Sequence, residues 1–277
     1  MIIDFHTHIM SPQIGDQRAE YIARDPCFAM LYSSPRAKLA TAEELVASMD
    51  KAGIDTSVVL NIGWTDHDLC VQTNDYLLEA MSRYPKRIAG FCTLQPRSGD
   101  LALKELERCI RGGIKGIGEL RPDVQSIDLT GESMASIVRL AGEHHLPILL
   151  HTDEPVGHRY PGKGSNTPEK IYPFITSFPE VKLVCAHWGG GLPFYALMPE
   201  VATAFKNVYF DTAASNFLYR PAIFQNIIDL VGASKILFGS DYPLVGQGNL
   251  IKDIRSLNLS PEAERGILGE NAARLLA

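Results

Sequence analysis

The sequence predicts a single-domain (β/α)8 barrel, a TIM barrel, over residues 1–277. Eight short runs rich in apolar and β-branched residues follow one another along the chain, and helix-like segments separate most of them. Each run is almost continuously apolar instead of alternating, which means burial on both faces, as for parallel strands between helices. Eight such units in 277 residues match a closed barrel, typically about 250 residues long. An open doubly wound sheet is the alternative, but no G-x-G-x-x-G follows the first run.

The runs in order are 2–9 (IIDFHTHI), 56–63, 87–96, 114–120 (IKGIGEL), 147–152, 182–190 (KLVCAHWGG), 208–215 and 236–243 (ILFGSDYP). A helix over 41–53 opens with Thr41 and Glu44 in capping-box spacing and stops at Gly53. Helices over 101–113 and 134–145 follow, and one over 260–276 begins with Ser260 as cap and Pro261 in its first turn. No internal repeat, low-complexity stretch or linker divides the chain.

Composition excludes several functions. A net charge of −6 disfavours nucleic acid, whose partners carry a basic stripe, and gives an anionic membrane surface no attraction. No apolar run reaches the length that spans a bilayer, and the start of the chain lacks the pattern of a secretion signal. The five cysteines (Cys27, Cys70, Cys92, Cys109, Cys185) form no C-x-x-C pair, as expected of buried thiols in a reducing compartment. A cytoplasmic location and a small-molecule substrate are therefore expected. Homo-oligomerisation is left open.

Chemistry in such a barrel gathers at the C-terminal ends of the strands. There the sequence places His6 and His8 on strand one, Glu119 on strand four, His151 on strand five, His187 on strand six and Asp241 on strand eight. Strand alternation puts Asp4, His6 and His8 on one face, and likewise Ile117 with Glu119, Leu149 with His151, Cys185 with His187, and Gly239 with Asp241. Any one of these residues alone reads as a hydrogen-bonded strand end or a turn former. Five strand ends together point to a shared metal. Nitrogen and oxygen donors without thiolate suit Zn²⁺, and also Mn²⁺ or another transition metal, as one or two ions. Such an ion lowers the pKa of bound water to about 7, and a neighbouring carboxylate can take the proton.

DFHTH, the histidines of LLHT and AHWGG, and GSDYP together resemble the amidohydrolase superfamily, closest to its amidohydrolase-2 branch of aminocarboxymuconate semialdehyde decarboxylase-like enzymes. The resemblance implies that His6, His8, His151 and Asp241 bind the metal. It further implies that His187 binds a second ion or polarises substrate, and that Asp241 accepts a proton. KGIGEL departs from the decarboxylases and resembles the strand-four glutamate of TatD-like hydrolases, which adds Glu119 to the ligand set. The expectation is thus a metal-dependent hydrolase of a small amide, lactone or ester-like substrate, with Asp241 and His187 catalytic. A non-oxidative decarboxylase or hydratase of an aromatic or unsaturated acid is the alternative.

Arg121, Trp188 and Tyr242 lie beside the expected ligands and are read as substrate contacts. Tyr160 joins them from the long loop 153–168, which could cover the mouth; a second long loop spans 10–40. A guanidinium at Arg121 suits a carboxylate-bearing substrate. Asp211 is a candidate partner for a ligand histidine.

Overall fold

The structure, a computed structural model, describes residues 1–277. Eight strands pair in parallel in chain order: β1 Ile3–His8, β2 Thr56–Leu60, β3 Ile88–Cys92, β4 Gly116–Leu120, β5 Ile148–Leu150, β6 Leu183–Cys185, β7 Val208–Asp211 and β8 Ile236–Leu237. Backbone hydrogen bonds close the barrel between its first and last strands. The Phe5 N–H donates to the Phe238 carbonyl at 2.7 Å, and the Asp241 N–H to the His6 carbonyl at 2.9 Å. The closed (β/α)8 barrel is the expected fold. Several strands are shorter than the apolar runs at their C-terminal ends, because the chain leaves the ladder there to aim the site residues.

The barrel is filled by Phe5, Val58, Leu60, Phe91, Leu149, Val184 and Leu237, and Ala272 and Leu275 pack against this cluster from the C-terminal segment. Each fully buried side chain of this size contributes about 1.5–3 kcal/mol. Two larger apolar clusters bind the strands' outer faces to the helices. Helix Ala42–Ala52 carries the full capping box: the Glu44 N–H donates to Thr41 Oγ1 at 3.3 Å and the Thr41 N–H to Glu44 Oε2 at 2.8 Å.

Two expectations need correction. The 260–276 helix is interrupted, running as Pro261–Arg265, a π turn Gly266–Glu270 and Asn271–Leu276. Asn271 explains the break, since its amide donates to the carbonyls of Ala233 and Ile236 at 2.8 Å and so fixes the chain against the start of β8. The 10–40 segment is not an open loop but three short helices, Pro12–Asp16, Arg18–Arg24 and Pro26–Tyr32. Phe28 stacks on Trp64 with ring centroids 5.4 Å apart, anchoring that segment. Arg18 is spent on the carbonyls of Tyr32 and Ser34, both at 2.6 Å from its Nη2. No helix is long and apolar enough to cross a membrane.

Candidate metal centre

All six expected strand-end residues converge at the mouth of the barrel. His6 Nε2 lies 3.1 Å from His8 Nε2, and Asp241 Oδ1 is 3.8 and 3.3 Å from the two. Glu119 sits between two histidine pairs. Its Oε2 is 3.9 Å from each of His6 and His8, while its Oε1 is 2.8 Å from His151 Nδ1 and 3.6 Å from His187 Nε2. Two groups able to hold an ion result, His6–His8–Glu119 and Glu119–His151–His187, and every member is buried.

Strand alternation alone does not produce this arrangement. On β5 it holds, with Leu149 inside the barrel and His151 in phase above it. On β1 the pairing register shifts between Asp4 and Thr7, so Asp4 leaves the histidine face. Its carboxylate instead accepts from Ser240 Oγ and from Gln247 of the outer helix Gln247–Ser256. On β4, Ile117 packs in an outer cluster, and Gly118 at φ 145° turns the chain so that Glu119 faces inward. A Cβ on Gly118 would stand 2.7 Å from the Leu149 carbonyl oxygen, so only glycine fits. His187 and Asp241 lie outside the strands altogether, in left-handed conformations at φ 53° and 67°.

The donor set fits a divalent metal on a second count. Each imidazole has one ring nitrogen held by an acceptor away from the cluster: His6 by Asp211 at 2.8 Å, His8 by the Leu60 carbonyl at 3.2 Å, His151 by Asp153 at 3.2 Å and His187 by the Ala213 carbonyl at 3.2 Å. A neutral ring that donates outward turns its remaining lone pair inward, as a metal ligand must. Asp211 thus fills its expected place. Asp153 was missed by sequence reasoning, though its position two residues after His151, at a strand exit, was a usable signal. For bonds of about 2.1 Å, donors on one ion stand about 3.0–4.2 Å apart, which is the spacing of His6, His8, Asp241 and Glu119 Oε2.

Electrostatics follow from crowding carboxylates and imidazoles without solvent. Burial opposes a charge on His6, but Asp211, Glu119 and Asp241 outweigh it and push the ring up to about 9. His187 is pushed up to about 10 against the same burial, by its hydrogen bond to Glu119 and the charge of Asp241. Burial would raise Asp241, yet its bond to His8 and the His6 and His187 charges hold it at about 2. Both histidines rise above their unfolded value of about 6.5, so in the metal-free protein their stabilising effect is complete below that pH. It is lost as pH rises through about 9 to 10. Asp241 contributes stability above its ordinary range that disappears as pH falls toward 2. Thermal unfolding in chelator is therefore expected to give a Tm on the order of 5 °C lower at pH 10 than at pH 6. Equal melting at the two pH values would contradict this electrostatic account.

Above the cluster lies a cavity of about 450 Å³ lined by His8, Glu119, His151, His187 and Asp241 at its floor and by Tyr32, Arg121, His158, Tyr160, Phe217 and Leu244 around it. Arg121 is buried, and its Nε makes no hydrogen bond. One Nη donates to the Gly162 carbonyl, and Asp123 stands 3.6 Å away. Tyr160 lines the cavity and donates its hydroxyl to Glu154 at 2.9 Å.

Two of the expected substrate contacts lie elsewhere. Trp188 is fully buried against Phe224 with its Nε1–H donating to Ser215 Oγ at 2.7 Å, because its own left-handed conformation turns the indole into the helical layer. Tyr242 lines a neighbouring cavity beside Arg18, Arg36 and Lys38, and its carbonyl is engaged by the His8 N–H at 2.8 Å.

Residues 3–277 match the model of the Amidohydrolase family. The chain belongs to that family. It is 25% identical to the 2-amino-3-carboxymuconate-6-semialdehyde decarboxylase of Dictyostelium discoideum across 76% of its own length and 66% of that protein, just under two thirds. It is 23% identical to the gamma-resorcylate decarboxylase of a Polaromonas species across 83% of this chain and 85% of that one. Among solved structures, a manganese-bound 5-carboxyvanillate decarboxylase from Novosphingobium aromaticivorans superposes with a TM-score of 0.82 at 18% identity, covering 100% of this chain and 97% of the other. These similarities overturn the expectation of a hydrolase, since both relatives compared by sequence are decarboxylases. Glu119, which favoured hydrolysis, sits among the histidines and says nothing about whether water is consumed.

Proposed function

We propose that this family member is a divalent-metal-dependent, non-oxidative decarboxylase of a small aromatic or unsaturated carboxylic acid. The observation that carries this reading is that the two relatives compared by sequence are decarboxylases of such acids. A cavity with a buried arginine beside the histidine–carboxylate cluster supports it.

His6, His8, His151, Asp241 and Glu119 would hold the ion. Manganese is favoured over the zinc first expected, because the solved relative carries manganese and the two carboxylates suit that ion. When bound, it supplies Lewis acidity for charge that develops on the substrate's oxygens. Arg121, whose Nε makes no hydrogen bond, pairs with the substrate carboxylate and fixes the ring relative to the cluster. Tyr32, Phe217 and Leu244 line the cavity and offer apolar surface to the substrate's carbon skeleton. As the carbon–carboxylate bond breaks, carbon dioxide leaves and the vacated carbon takes one proton. His187 and Asp241 line the cavity floor, and we assign the proton to His187.

Incubating the manganese-loaded protein with a panel of hydroxylated benzoic acids and an unsaturated diacid is expected to release one carbon dioxide per substrate. In D2O the product gains one deuterium. Conversion of lactones or amides with water consumed, and no carbon dioxide from any acid, would overturn the reading.

A further inference from the structure

Asp153 belongs to the segment behind the mouth and carries no role in the chemistry above. It is fully buried, and its two oxygens are saturated by three donors. Oδ1 meets His151 Nε2 at 3.2 Å and the Gly164 N–H at 2.8 Å, and Oδ2 accepts the Asn166 N–H at 2.8 Å. The Asp153 N–H returns to the Asn166 carbonyl at 3.0 Å. Gly164 approaches so closely that a Cβ there would stand 2.0 Å from Asp123 Oδ2 and 3.0 Å from Asp153 Oδ2. The same short stretch, 162–166, carries the Gly162 carbonyl that receives Arg121.

An imidazole that donates from Nε2 has its lone pair on Nδ1, and Nδ1 is the atom of His151 that faces Glu119 at 2.8 Å. We propose that Asp153 is a positioning residue that holds His151 as the Nε2–H tautomer, with Nδ1 turned to the metal cluster, and thereby couples seating of the 154–166 loop to metal affinity. The coupling has a physical basis. Loss of the loop's two N–H donors would leave the buried carboxylate short of partners, free to shift away from His151. Conversely, a properly seated loop fixes both His151 and the Arg121 guanidinium, so substrate pocket and metal ligand are assembled by one set of hydrogen bonds.

This rests on the reading of His151 as a metal ligand, and the test separates the two. Asp123 anchors the same stretch, accepting the Ser165 N–H at 2.9 Å and the Asn166 amide at 2.7 Å, without touching His151. Manganese affinity is measured by chelator competition for wild type, Asp153→Asn and Asp123→Asn. An asparagine can present its amide N–H to Nε2, which forces the proton onto Nδ1, so Asp153→Asn is expected to weaken manganese binding about 10–100-fold. Asp123→Asn keeps an acceptor oxygen for the Ser165 N–H, so the loop stays seated on Asp153, and its affinity should stay within about threefold of wild type. Equal affinities in all three proteins, or equal weakening in both variants, would reduce Asp153 to a loop anchor and overturn the proposal while leaving His151 a ligand. Wild type that takes up no metal would defeat both readings. Should Asp153→Asn fail to fold, the ring ¹⁵N spectrum of zinc-loaded wild type decides. Protonated Nε2 on His151 is expected, and protonated Nδ1 overturns the proposal.

Discussion

Glu119→Gln is expected to strip the protein of most of its metal and to lower turnover by at least about 100-fold. The carboxylate places one oxygen toward His6 and His8 and the other toward His151 and His187, so its charge serves every histidine in the cluster. An amide keeps the shape but offers one oxygen and no charge, and a metal site that loses a charged donor loses affinity in proportion. Arg121 does not pair with Glu119; its contacts are the Gly162 carbonyl and Asp123. The stability cost therefore comes through the histidines. In the metal-free protein Glu119 helps to hold His6 and His187 protonated, and removing one partner from a buried pair costs about 3–5 kcal/mol. That cost is expected below pH 6.5 and should shrink as pH rises through about 9 to 10, where the two rings lose their protons. Elemental analysis and thermal unfolding at pH 6 and pH 10 read both effects. Full metal occupancy with normal turnover would remove Glu119 from the ligand set.

What the sequence allowed, and what it withheld, divides along a physical line. The barrel was legible because burial of a parallel strand on both faces leaves a mark on every residue of the run, and eight such marks survive local irregularity. The identity of the converging residues was legible for the same reason, since chemistry sits at strand ends. How each side chain reaches the centre was not. Simple alternation predicts the His151 direction correctly, but Glu119 depends on Gly118 at φ 145°, and His187 and Asp241 on left-handed residues of their own. A single positive φ reverses a side chain without changing composition, so Trp188 looked like a pocket residue and lies in the helical layer instead. Asp153 was overlooked because its importance comes from Gly164 and Asn166, eleven and thirteen residues further on, a contact that only loop geometry creates. The reaction type was the least legible, because one ligand set serves attack by water and loss of carbon dioxide equally well.

His187→Gln is the substitution expected to separate proton delivery from metal binding. His187 Nε2 points to Glu119 Oε1 at 3.6 Å, while Nδ1 is held by the Ala213 carbonyl at 3.2 Å and its own N–H donates to Asp211 at 2.9 Å. It is therefore fixed at three points, yet it stands farther from Glu119 than His151 does at 2.8 Å, and His6, His8 and Glu119, with Asp241 beside the two histidines, offer four donors without it. If His187 gives the proton that the vacated carbon requires, glutamine keeps a hydrogen bond to Glu119 but has no proton to transfer. The expected result is metal content within about twofold of wild type, KM little changed and kcat lower by about 10²–10⁴, the range of a positioned general acid. The pH–rate profile should also lose the limb on which activity falls as His187 deprotonates. A variant that loses its metal together with its activity would make His187 a ligand. Proton delivery would then pass to Asp241, and Asp241→Asn, given excess manganese, should show the kcat loss in its place.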